Sequence, residues 1–305
     1  MGDAMKTLLL VLVLAFASAC ASKPPLMMSY DDFPRGIPIP EPTAEQRARF
    51  DPSREGDIIT ISKPGGKTFS GHHTENRAFL EEVITPALTP HLDRLRKLDQ
   101  VELINELALF GHEIFRVYFG SDAFAWGGHL HDLDDPQESG PNFQNRFGLD
   151  CSGFASLPYE LAVHFDLMAA DDPAAIFCSQ GWERFATENG LVDKGGRDGT
   201  TNNWRVDTAD FARLGRVIFT VPKDGTAAPE DLKNLQAGDV VLMPGHAGLV
   251  VQIKGHFYYL EHGGWVVPPN GGLPYEIGEA LTIFAKQGPL EIRRSLPDSA
   301  RIARR

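Results

Sequence analysis

Asp150-Cys-Ser-Gly-Phe-Ala-Ser-Leu157 is the stretch on which the fold turns. Asp150 suits a helix N-cap, where its carboxylate takes an N–H of the first turn, and the residues after it can form that turn. Cys151 then stands at the positive end of a helix, where negative charge is favoured. A free thiol titrates near about 8.5, and a helix N-terminus together with an imidazolium pulls it lower. Pro158 is expected to kink the helix after its second turn. A cysteine at a helix start can equally be a small buried residue. The choice depends on whether the chain also supplies a base.

It supplies one in Gly245-His-Ala-Gly-Leu-Val-Val251. The runs 240–243, 247–253 and 257–261 are short, β-branched or aromatic, and separated by Gly and Pro, which predicts antiparallel strands. Strand alternation puts Ala247, Leu249, Val251 and Ile253 on one face, with His246, Gly248 and Val250 on the other. His246, at the end of its strand beside glycines, is expected to open onto a cleft. His262 ends the next strand and could orient the first imidazole through a ring hydrogen bond, as a third member does. Register decides this. A two-residue turn at Lys254-Gly255 makes paired numbers sum to 509 and puts the two histidines on opposite faces. A loop over Lys254-Gly-His256 gives 510 and sets His262 opposite Gly248, diagonal to His246. Lys is a poor first residue for two-residue primed turns, so the longer loop or a bulge is predicted.

Working outward, residues 1–19 read as a secretory signal: Lys6, a short apolar run from Leu8 to Ala15, then small residues up to Cys20. The apolar run is about half the length that spans a bilayer. Small residues before Cys20 resemble a bacterial lipoprotein processing site, which implies acylation of Cys20 and a lipid anchor in a membrane. Residues 20–50, rich in proline, read as anchor and extended tether. Residues 51–119 form an N-terminal extension, mostly helical: one strand over 57–62 and a Gly65-Gly66 turn, then apolar positions at helical spacing. Pro86 and Pro90 interrupt the first helix, and a second runs from about Gln100 to Phe119. Residues 120–290 carry the chemistry, with two insertions, and 291–305 read as a C-terminal tail.

The net charge, 29 − 41 = −12, argues against a nucleic-acid partner. With Cys20 acylated, Cys151 and Cys178 remain, and in an oxidising compartment they could pair. The surroundings of Cys151 favour a free thiol. His129, His131, Asp132, Asp134 and Asp135 invite a metal reading, but a solvated acidic loop accounts for them, and no metal or other cofactor is expected. Trp126, Trp182 and Trp204 could stack on sugars or peptides, or could be core residues.

The order of motifs resembles the NlpC-type cysteine peptidases of bacterial cell walls. Phe124-Ala-Trp-Gly-Gly128 is similar to the family's Pro-Tyr-x-Trp-Gly-Gly block. Phe147-Gly-Leu-Asp-Cys-Ser-Gly-Phe154 resembles its nucleophile block. Leu235-Gln-Ala-Gly-Asp-Val-Val-Leu-Met243, followed by His246-Ala-Gly-Leu-Val250, resembles the strand that carries its base, and His262 falls at its third polar position. The resemblance covers 124 to about 264. It implies an α+β fold with a papain-like core, in which a cysteine-bearing helix packs on an antiparallel sheet. It further implies Cys151, His246 and His262 as catalytic residues, and Asp150, Ser152, Phe124, Trp126 and Gly245 as substrate-binding ones. The implied reaction is hydrolysis of amide bonds in peptidoglycan stem peptides on the periplasmic side of a bacterial membrane. Departures from the family bear on substrate: Phe124 in place of Tyr, the long acidic insertion from His129 onward, and the wide gap between Cys151 and His246. Two other readings are a thiol amidase or acyltransferase on lipids or other amides, and a silent wall-binding lipoprotein. The order Cys then His favours the peptidase branch over the first, and an intact Cys–His–His set argues against the second.

Overall fold

A computed structural model describes residues 28, 33–34, 36–50, 58–62, 68–72, 76–119, 149–190, 206–261 and 274–298. The fold is α+β. A six-stranded sheet of order β3-β8-β4-β5-β6-β7 is antiparallel throughout. Its strands are β3 (Arg216–Val221), β4 (Val240–Met243), β5 (His246–Ile253), β6 (His256–Leu260), β7 (Tyr275–Glu276) and β8 (Leu290–Arg294). A separate hairpin pairs β1 (Ile58–Ser62) with β2 (Thr68–His72).

Both faces of the sheet are covered. The helices that cover them are α2 (Gln100–Phe119), the cysteine helix α3 (Cys151–His164) and α5 (Ile277–Ala285); the chain also forms α1 (Ala44–Arg49) and α4 (Ser179–Glu188). Val240, Leu242, Ala247, Leu249, Val251 and Leu260 join one apolar core with Leu103, Ile104 and Leu107 of α2 and Phe154, Leu157 and Leu161 of α3. Val241, Met243, Val250 and Tyr259 join a second core with Leu281 and Phe284 of α5. Strand β4 is therefore buried on both sides, which is why its sequence is an unbroken apolar run rather than an alternating one. The alternation predicted for β5 is the one formed.

The helix predicted over 100–119 is α2. Before it, residues 76–95 are helical but irregular, with a π-type turn at Leu80–Ile84 and a 3-10 turn at Thr89–His91. Pro86 and Pro90 lack the N–H that a regular helix needs there. Where β4 no longer runs beside β5, the Asn105 side chain of α2 replaces it. Its amide donates to the Gln252 carbonyl at 2.9 Å and accepts the Gln252 N–H at 2.7 Å. The backbone N–H and C=O of Gln252, which β4 does not reach, are thereby paired.

Three predicted boundaries change. Over its described residues, 20–50 is not a free tether: Met28, Phe33, Ile37 and Phe50 are buried in the main core. Helix α1 there opens with a Thr43–Gln46 capping box. Apolar side chains spaced among the prolines outweigh the extended character that proline confers. Residues 291–298 are not a tail either, because β8 lies inside the sheet between β3 and β4. Its charged, alternating sequence hides this. Arg294, inward-facing, is neutralised by Asp239 through bonds of 2.6 and 2.8 Å. Finally, α2 shares its core with α3 and β5, so the N-terminal helices are part of the cysteine-bearing domain rather than an appendage.

Candidate active site

Asp150 caps α3 as its sequence predicts. Its Oδ1 accepts the Gly153 N–H at 2.7 Å and the Ser152 hydroxyl at 2.9 Å, and its carbonyl accepts the Phe154 N–H at 2.8 Å. Asp150 and Ser152 are both buried, and these bonds shape the helix start that presents Cys151. The helix runs through Pro158 to His164 without ending there. Two contacts lock it in place. The Tyr159 hydroxyl donates to the Gly238 carbonyl at 2.7 Å, just ahead of β4. Glu160 accepts the Ser179 N–H at 2.6 Å and the Ser179 hydroxyl at 2.7 Å, fixing α3 to the start of α4.

His246 is the first residue of β5, directly after the exposed Pro244–Gly245 turn. It does not open onto a cleft, being only 4% exposed. Its Nε2 lies 2.5 Å from Oε2 of Glu261, and the Cys151 side chain is near enough to act on the charge of the ring. Burial by itself pulls the imidazolium down. The Cys151 side chain and Glu261 together outweigh burial and raise His246 from 6.5 to about 10. At neutral pH the ring therefore carries its proton, beside a thiol at a helix N-terminus.

The register between β5 and β6 is not the one predicted. Strands β5 and β6 pair with a sum of 509, from Leu249 with Leu260 to Ile253 with His256. The turn is the two-residue one, with Lys254 at φ 51° and Gly255 at φ 82°. Positive φ at both central residues is the primed geometry that matches strand twist. Lys254 adopts it at a cost of about 1–2 kcal/mol. The alternative is worse: a one-residue slip would exchange the faces of β6 and turn Glu261 into the apolar core that Leu260 fills. Stranding a carboxylate there costs several kcal/mol. Continuing the pairing one step sets Glu261 opposite Gly248, diagonal to His246. The condition that would have brought His262 to that face is not met, and His262 itself lies outside the described residues. Glu261 was legible: with 509 admitted, it is the carboxylate that parity assigns to the His246 face.

Phe124, Trp126, Trp204, Cys20 and the His129–Asp135 segment also lie outside the described residues. Trp182 is a packing residue, buried and stacked on Phe185 at 5.9 Å between ring centroids. Cys151 and Cys178 are both free thiols. Cys178 caps α4, with Sγ accepting the Gly181 N–H at 3.4 Å. Burial, then the Glu160 charge, pushes its thiol up to about 12, so it stays protonated. The two cysteines thus differ in surroundings: Cys151 lies beside His246, whereas Cys178 caps a helix. Among the described residues no group of three or more His, Cys, Asp or Glu is placed to hold a metal ion. No helix among them is long and apolar enough to cross a membrane.

No family model, no curated protein and no solved structure matches this chain. What the site can do therefore rests on its geometry. A thiol, an imidazole between that thiol and a carboxylate, and a capped helix N-terminus form the set that thiol-based acyl transfer requires.

Proposed function

We propose that the protein is a cysteine hydrolase that cleaves amide bonds, with Cys151 as nucleophile, His246 as base and Glu261 as the residue that orients it. The observation that carries this reading is His246 set 2.5 Å from Glu261 with the Cys151 side chain acting on the same ring. In the reaction, His246 holds the thiol proton and the Cys151 thiolate attacks the carbonyl carbon. The oxyanion forms beside the Cys151 N–H, which opens α3, where first-turn N–H groups have no intrahelical acceptor. His246 then gives its proton to the leaving amine as the C–N bond breaks, leaving a thioester. Water attacks the thioester while His246 takes a proton from it. The C–S bond breaks, the acid leaves, and the thiol regains its proton.

The finer reading is a papain-like core acting on peptidoglycan stem peptides from a lipid anchor at Cys20. It is supported by the order of motifs, Cys151 before His246, and by the packing of α3 on an antiparallel sheet. Digestion of purified peptidoglycan and soluble muropeptides tests it, with products identified by mass spectrometry. Wild type should release peptide fragments and Cys151→Ala should release none while keeping its circular dichroism spectrum. Cleavage by the alanine variant at the wild-type rate would remove Cys151 from the mechanism. Intact muropeptides after wild-type treatment would remove the substrate.

A further inference from the structure

One buried polar side chain beside the site is not used by the reaction as written. Tyr259 is fully buried on β6, two residues before Glu261 and therefore on the same face of the strand. Its hydroxyl donates to Glu261 Oε2 at 2.8 Å. That is the same oxygen that lies 2.5 Å from His246 Nε2. Two donors thus converge on one carboxylate oxygen from different strands. Burial, then the Glu261 charge, pushes the Tyr259 phenol well above its ordinary value, so it remains a donor.

The tyrosine ring is clamped on two sides. Phe284 of α5 meets it edge-on, with centroids 4.7 Å apart and planes at 62°. On the other side is Gly248, where a Cβ atom would fall 2.4 Å from both Cε2 and the hydroxyl oxygen of Tyr259. Such a contact is far inside van der Waals separation. The ring therefore occupies the space that any side chain at position 248 would need.

The geometry points to Tyr259 as the positioning residue of the site: it fixes the Glu261 carboxylate against His246, and position 248 is glycine so that its ring can lie there. This inference rests on reading Cys151, His246 and Glu261 as the reactive set. A free Glu side chain has three rotatable bonds and would lose its hold on the imidazole in many rotamers. A two-torsion aromatic, wedged between a helix and a bare stretch of strand, removes that freedom.

Two measurements on the full chain test it. Proton NMR on protein labelled with ¹⁵N-histidine should show a far-downfield His246 Nε2–H signal from the short contact to Glu261. Tyr259→Phe keeps the ring and deletes the donor. It should move that signal and speed its exchange with water. It should also slow alkylation of Cys151 by iodoacetamide at neutral pH about tenfold, as expected for one lost hydrogen bond to a charged group. The rate is read on the Cys151 peptide by mass spectrometry. Gly248→Ala should reproduce both effects, and combining it with Tyr259→Phe should add little, because the two act through one contact. An unchanged Nε2–H signal and alkylation rate in Tyr259→Phe would overturn the proposal. Failure of the hydrolase reading looks different: wild-type Cys151 would alkylate no faster than a free thiol, while the NMR comparison would still decide the part played by Tyr259.

Discussion

The sheet holds two buried cation–carboxylate pairs, and they differ in what surrounds the cation. Arg294 on β8 is enclosed: its guanidinium donates to both oxygens of Asp239, to Asp298 at 2.7 Å and to the Asn234 carbonyl at 2.6 Å. Asp239 also accepts the Gln236 N–H at 2.9 Å, so every group is spoken for around a cation that does not titrate. His246 on β5 sits between Glu261 and a thiol, and its charge depends on a proton that can leave. Both pairs are equally buried. The first fastens β8 to the loop ahead of β4, whereas the second can pass a proton. Burial of a charge pair is thus by itself no sign of chemistry.

Breaking each pair should give different losses. The largest is structural: Asp239→Ala leaves Arg294 short of its main partner and should cost about 3–5 kcal/mol in urea unfolding. Alkylation of Cys151 should change little in the fraction that remains folded. The reverse pattern is expected at the other pair. Glu261→Gln should lower turnover and alkylation on the order of a hundredfold, the size of a general-base contribution. The loss should exceed that from His262→Ala; a larger effect at His262 would return the third position to that residue.

Next in size is a pH effect that separates the pairs without mutation. Folded His246 titrates at about 10 against an ordinary 6.5. A raised folded value means that the protonated form stabilises the fold. Its contribution is complete below about 6.5 and is lost as pH rises through about 10. The urea midpoint should therefore fall across that window, and in His246→Gln this component of the fall should vanish. Arg294 keeps its charge throughout and contributes no such slope. The smallest effect concerns the turn that sets the register. Lys254→Asn, a residue that accepts positive φ, should raise stability by about 1 kcal/mol, with alkylation of Cys151 unaltered. A drop in stability would mean that the Lys254 side chain has a role beyond the turn.

Much of this could be read from local chemistry. Asp150 as a cap, Cys151 at a helix start, α2 from Gln100 to Phe119 and the two faces of β5 all follow from periodicity and capping, which involve only near neighbours in the chain. The third polar residue did not follow. Choosing between a two-residue and a three-residue turn meant weighing a strained Lys254 against the burial of β6 side chains in cores made by α3 and α5, and the turn sequence holds only half of that balance. The same limit explains 291–298. A strand bearing Glu291, Arg293 and Arg294 looks like solvent-exposed tail until Asp239, fifty-five positions away, is placed against it.

Sequence by itself determined the cysteine, its helix and a histidine downstream on a strand, because each depends on interactions spanning a few residues. Tertiary structure decided which carboxylate lies against His246, which tyrosine hydrogen-bonds it, and that residues 36–50 and 290–296 pack into the core. Those outcomes turn on desolvation, and whether a charge is desolvated depends on residues distant in the chain that pack around it.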